Sequence, residues 1–217
     1  VCDWSSDVCS SDLNTPYKPI LNPYSLNSYY FVSDVEPDSV FEMPVLNWQP
    51  NETIEEHTTT FVERLLHKKE EYAPSNTGNW MLGEDFTQQN TREFKFKLPG
   101  LADTSAALMI GFGTHTRMAA SSYTVSVDGQ PLAEETGMTI PLCDGDAQFI
   151  NYNLCPVLVP VAKEDMTVSI TYKPGGTLYL ARLGFIEVNY NRKLDITDGP
   201  LTFYNTAHYN LPCVYEI

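Results

Sequence analysis

Arg92-Glu93-Phe94-Lys95-Phe96-Lys97-Leu98 sets Phe94, Phe96 and Leu98 on one side of an extended chain and Glu93, Lys95 and Lys97 on the other. That period of two is the signature of a half-buried antiparallel strand. Downstream, residues 106–113 supply a second strand, and Tyr123, Val125 and Val127 alternate with small polar residues in a third, closed by an Asp128-Gly129 turn. Residues 166–172 and 177–190 form a further pair of strands joined through Pro174-Gly175-Gly176, and the glycines predict a tight hairpin there. Upstream, residues 58–72 admit two readings: Phe61 and Leu65, like Val62 and Leu66, have helical spacing, whereas Thr58-Thr59-Thr60-Phe61-Val62 is strand material. Tyr29-Tyr30-Phe31-Val32 has strand composition, and the acidic run over 33–44 reads as a surface loop. Six or more short strands separated by turn residues predict an all-β chain, an antiparallel β-sandwich of jelly-roll-like form, with a closed barrel as the alternative.

Length and composition agree. The 217 residues suffice for a buried core, and 42% hydrophobic against 19% charged residues is the balance of a folded domain. A formal net charge of −15 repels phosphate backbones and anionic lipid, so nucleic acid is not an expected partner. No apolar run reaches the length of a membrane-spanning helix. Residues 1–13, Val1-Cys2-Asp3-Trp4-Ser5-Ser6-Asp7-Val8-Cys9-Ser10-Ser11-Asp12-Leu13, lack the basic and apolar regions of a signal peptide and resemble translated sequencing-adapter read-through. They are read as a non-native segment. The expected organisation is then an extended lead-in with a first strand over 14–57, the sandwich over 58–190, and the start of a second β module, truncated, over 191–217.

Chemistry-bearing residues are sparse. Outside residues 1–13 the cysteines are Cys143, Cys155 and Cys213, with no Cys-x-x-Cys spacing; Cys143 and Cys155 bracket Asp144-Gly145-Asp146, where a local disulfide is open if the strands meet. His57, His67, His115 and His208 show no metal-ligand spacing and read as structural or surface residues. Asp144-Gly145-Asp146 and Asp195-Ile196-Thr197-Asp198-Gly199 lack the continuation of a calcium loop and read as turns. Glu84 and Asp85, adjacent on an extended chain, point to opposite faces and read as turn or surface carboxylates rather than an acid-base pair. Trp80, Tyr123, Tyr152 and Tyr179 offer a sugar-stacking platform if exposed, core packing if not. Asp38-Ser39-Val40 resembles a short bacterial O-glycosylation acceptor. No catalytic, cofactor-binding or metal-binding residue is assigned, and no cofactor is expected.

A resemblance sharpens this reading. Leu66-His67-Lys68-Lys69-Glu70, Ser75-Asn76-Thr77-Gly78-Asn79-Trp80, Gly83-Glu84-Asp85-Phe86, Thr91-Arg92-Glu93-Phe94, Leu98-Pro99-Gly100 and Ser122-Tyr123-Thr124-Val125-Ser126-Val127-Asp128-Gly129 follow one another in order. Together they resemble the N-terminal region of the PorU family in Bacteroidota, gingipain-type cysteine proteases that act as sortases of the type IX secretion system. The resemblance spans roughly residues 28–217 and favours strand over 58–72. It implies a parent protein at the cell surface, on the outer membrane, that cleaves C-terminal sorting signals from exported cargo and attaches the cargo to a surface lipopolysaccharide. The family's catalytic cysteine and histidine lie in a caspase-like domain further along, so none of Cys143, Cys155 or Cys213 inherits the role. The chain is thereby expected to be a non-catalytic scaffold or docking module, partnered by that catalytic domain and by other secretion components. The competing class is a carbohydrate-binding or adhesin sandwich with surface polysaccharide as its ligand.

Overall fold

The computed structural model describes residue 54 and residues 56–74, 81–117, 119–137, 150–176, 179–197, 199–203 and 213–217. Ten strands are described: β1 (His57–Thr58), β2 (Thr60–His67), β3 (Thr91–Lys97), β4 (Leu101–Thr116), β5 (Ser121–Val127), β6 (Gln130–Gly137), β7 (Asn151–Pro160), β8 (Asp165–Lys173), β9 (Tyr179–Lys193) and β10 (Val214–Tyr215). Two four-stranded sheets face each other, ordered β2-β9-β4-β7 and β3-β8-β5-β6, with every neighbouring pair antiparallel. Consecutive strands alternate between the sheets except at the β5–β6 hairpin, and this order is that of an eight-stranded jelly roll. The all-β sandwich expected from the sequence is therefore the observed fold.

The core lies between the inner faces. Leu108, Ile110 and Phe112 of β4 and Leu183, Ile186, Val188 and Tyr190 of β9 meet Phe94 and Phe96 of β3, Tyr123 and Val125 of β5, and Val168 and Ile170 of β8. Each fully buried aliphatic here contributes roughly 1.5–3 kcal/mol relative to exposure. Phe112 joins the layers, 4.5 Å from Tyr123 and edge-on to Phe86 at 5.1 Å between ring centroids. The ambiguous 58–72 stretch contains strand β2, because pairing along β9 from Thr60↔Lys193 to His67↔Ile186 places Leu65 against the core, a tertiary contact that outweighs the helical spacing.

The Asp128-Gly129 turn is a two-residue hairpin with φ of 49° and 83°, as a primed turn requires. Pro174-Gly175-Gly176 is different: β8 and β9 lie in opposite sheets and do not pair, so the expected hairpin is an arch between the layers. Neither glycine has a positive φ among the described residues. Gly175 is needed for contact instead, since a Cβ there would overlap the Ala120 carbonyl oxygen. Two strands escaped the sequence reading, β6 and β7, and each occupies a sheet edge and carries proline: Pro131 in β6, Pro156 and Pro160 in β7. Proline cannot donate to a ladder, so within sheets it is confined to such edges.

After β9 the chain returns to the start of the sandwich. β10 pairs in parallel with β1, His57 opposite Val214, and Phe203 packs between Phe61 and Tyr215. The expected strand at residues 29–32, the loop over 33–44 and the acceptor at Asp38-Ser39-Val40 lie outside the described residues.

Candidate functional site

β9 is longer than its neighbour β2, which pairs only with residues 186–193. The other half of that edge is taken by residues 83–86: Gly83 donates to the Leu183 carbonyl at 2.7 Å, Leu183 to the Glu84 carbonyl at 3.1 Å, and Phe86 to the Ala181 carbonyl at 2.8 Å. Leu82, Glu84 and Phe86 are all buried along this segment, Glu84 at 6% exposure. Gly83 lets residue 69 come close, since a Cβ on it would sit 2.9 Å from Lys69 Cβ. Glu84 thereby lies at the margin where the β2 edge of one sheet faces the β3 edge of the other.

His67 Nε2 donates to Glu84 Oε1 at 2.8 Å, and Lys69 Nζ lies 3.3 Å from the same oxygen. The His67 ring also packs on Phe94 of the opposite sheet, 4.9 Å between centroids. Burial opposes ionisation of Glu84, but its own backbone hydrogen bond, His67 and Lys69 together hold the carboxyl below the usual range. Glu84 Oε2 is buried and has no hydrogen-bond partner among the described residues. Beside this network opens a cleft of about 370 Å³, walled by His67, Lys69 and Glu84 on one side and by Arg92, Glu93, Phe94 and Lys95 of β3 on the other. All of these residues except Lys95 come from three of the segments that carry the sequence resemblance. A second cleft of about 370 Å³, near Leu132 and Val159, has no buried carboxylate in its wall.

Asp85 points the other way, as alternation predicts, and pairs with Arg182 at 3.2 Å. Burial raises its pKa, but hydrogen bonds from Thr87 and the charges of Arg182 and Arg92 bring it below the ordinary value. The reading of Glu84 and Asp85 as turn or surface carboxylates is thus overturned for Glu84, which is buried in an ion-paired network. Arg92 spans the margin, donating through Nε and Nη2 to the Asp85 carbonyl at 3.0 and 2.8 Å.

Of the cysteines, Cys155 and Cys213 lie among the described residues. Cys155 is a free, buried thiol on β7, pushed up to about 12 by burial and by the nearby Glu135, so it is a protonated core residue. It is level with Ile110, and His115 is five residues further along β4, roughly 16 Å at strand rise. Cys213 donates weakly to the Val214 carbonyl at 3.7 Å, while His57 Nδ1 bonds to Glu216 at 2.8 Å. Cys143, His208, Asp198 and Asp144-Gly145-Asp146 lie outside the described residues. Asp195 closes a turn by accepting from the Thr197 N–H and hydroxyl at 2.9 and 2.7 Å. Among the described residues no three His, Cys, Asp or Glu converge on a metal-sized space.

The aromatic platform loses Tyr123, which is fully buried against Phe112. Its position in the middle of an alternating strand places it in the core. Tyr152 is half-buried across Gly111 and Gly184, while Trp80 and the Tyr179 side chain lie outside the described residues.

No protein-family model matches the chain, and no curated protein does. Among solved structures, dimeric latent PorU from Porphyromonas gingivalis superposes with a TM-score of 0.60 at 22% identity. The chain shares its fold with a segment of PorU. The match covers 74% of this chain and 16% of PorU, so the chain spans about one sixth of that protein. Weaker likenesses are a carbohydrate-binding module, CBM36, solved with calcium and xylotriose (TM-score 0.33, 8% identity, 58% of this chain and 98% of that one), and the sugar-binding C-terminal domain of EclA (TM-score 0.31, 11% identity, 52% and 92%). No helix among the described residues is long and apolar enough to cross a membrane.

Proposed function

We propose that this chain is a non-catalytic β module of a gingipain-type surface cysteine protease, a type IX secretion sortase, and that it positions the protease domain or docks it on other secretion components. The observation that carries the reading is the jelly roll shared with PorU over 74% of the chain, with the resembling segments lying in order from β2 to the β5–β6 turn. The buried, protonated Cys155 fits a chain whose chemistry is supplied elsewhere. In this reading residues 58–190 are the sandwich, 14–57 its lead-in and 191–217 the passage to a following β module. The parent acts at the outer face of the outer membrane, cleaving C-terminal sorting signals and attaching cargo.

Recovering the full reading frame from the source DNA tests this. A caspase-like domain bearing a cysteine and a histidine is expected beyond Ile217, and a stop codon or unrelated repeats there would overturn the reading. The purified 217-residue chain is expected to show no thiol-dependent peptide hydrolysis.

A further inference from the structure

The two sheets turn different outer faces to their surroundings. On the β3-β8-β5-β6 sheet the outward positions of β3 are charged, at Glu93, Lys95 and Lys97, and those through the middle of β5 and β8 are all serine or threonine. On the other sheet, β7 reads Leu154-Cys155-Pro156-Val157-Leu158-Val159-Pro160, apolar without a break. Cys155, Val157 and Val159 are buried in the core. Leu154, Pro156, Leu158 and Pro160 stand outward and exposed, Leu154 at 38% and Leu158 at 53%. Their neighbours across the ladder carry no charge either: Gly111 is opposite Leu154, Met109 opposite Pro156 and Ala107 opposite Leu158. A strand with one wet face alternates apolar with polar residues, so β7 has the sequence of a strand covered on both faces.

Backbone, area and charge restrict what covers it. Val161 donates to the Thr104 carbonyl at 2.8 Å, which puts the odd-numbered residues of β7 on the β4 ladder and the even-numbered ones on the free edge. Pro156 and Pro160 therefore strip donors from that edge, and an added strand has no regular ladder to join. The partner lies flat against the side chains instead. Four exposed side chains fall short of the roughly 800 Å² a side that holds two free proteins together. Contacts between domains of one chain run smaller, because the linker keeps the partner close. An anionic lipid surface is repelled by the net charge of −15. The second cleft, about 370 Å³, shares Pro160 with the row and is lined also by Val127, Leu132, Val159 and Ala162, which makes it a socket for an apolar anchor at that end. Since the chain spans about one sixth of PorU, the module reading leaves most of the parent to supply the cover.

We propose that the outer face of β7, with β4 beside it, is the seat of the parent's protease domain, which packs an apolar surface on Leu154, Pro156, Leu158 and Pro160. This rests on the module reading above and names the surface through which the module positions its partner.

The test compares maleimide labelling of Leu158→Cys in the 217-residue chain and in the full-length protein expressed from the recovered reading frame. The rate is read by mass spectrometry on the peptide that carries the new thiol. Leu158 is exposed, so the change leaves the core intact, and Lys95→Cys on the outer face of the opposite sheet is the reference. Leu158→Cys is expected to react at least about tenfold more slowly in the full-length protein, where labelling waits for the domains to part, while Lys95→Cys reacts alike in both. Equal rates for Leu158→Cys in the two proteins would overturn the proposal and leave the module reading standing. A frame without a protease domain would sink both, an outcome told apart by its sequence alone. If labelling of the 217-residue chain slows as its concentration rises, a second copy covers the face and the proposal fails.

Discussion

Glu84 and Glu187 both serve the β2-β9-β4-β7 sheet and both are nearly inaccessible, at 6% and 0% exposure, yet their proton affinities move in opposite directions. Glu187 stands at the middle of the sheet, level with Leu66 on one side and Met109 on the other, and burial lifts its pKa further than Arg64 and Asn189 bring it back. Glu84 stands at the margin, where its own backbone hydrogen bond, His67 and Lys69 outweigh burial. Burial alone therefore does not decide the charge state; the supply of donors does.

The largest effect is expected from Arg64→Ala, which leaves the Glu187 carboxylate without its cation. A loss of about 3–5 kcal/mol in denaturant unfolding is expected, and pairing the change with Glu187→Gln should recover most of it. A small loss in the single variant would mean that Glu187 is protonated at neutral pH and needs no cation. Next comes Glu84→Gln, expected to cost about 1–3 kcal/mol at pH 7 through weakened bonds to His67 and Lys69. Because the folded pKa of Glu84 is depressed, its contribution is complete above the ordinary carboxylate range and disappears as pH falls through the folded value. Stability of the variant should accordingly fall less between pH 5 and pH 3 than that of the parent chain, roughly the span over which an unfolded carboxylate and its depressed folded form titrate.

The smallest effect belongs to Glu187→Gln alone. Its folded pKa is raised, so the native state holds the proton more tightly, and stability declines as pH rises from the ordinary carboxylate value through the folded one. Replacing it should flatten that decline and change stability at pH 7 by less than about 1 kcal/mol, measured by thermal unfolding across pH. A shallower acid loss in this variant than in Glu84→Gln would reverse the assignment of the two sites.

The sandwich was legible where one face of a strand is buried and the other wet. Phe94 and Phe96, or Tyr123 and Val125, fall on alternate positions because the sheet has two environments. Edge strands β6 and β7 were not legible because Pro131 and Pro156 argue against strand when the position in the sheet is unknown. The arch at Pro174-Gly175-Gly176 was misread because a glycine needed for close approach to Ala120 has the same letter as one needed for a positive φ. Glu84 was hidden by Asp85, since an acidic pair resembles a solvated turn. The usable signal was the row Leu82, Glu84, Phe86, in which the two apolar members predict that the third is buried as well. What no local pattern supplies is the donor set, which comes from His67, seventeen residues upstream, and from Lys69.

The pairing of β2 with β9 carries a kinetic consequence. Phe61 lies opposite Arg192 and Leu65 opposite Val188, so the strand that opens the sandwich waits for the strand that ends it. β9 is also the only strand between β2 and β4, and until it exists β2 has no place in its sheet. Such long-range closure places the chain among slow-folding topologies, with β2 and the inner face of β4 open to misassociation while the remaining residues are being made.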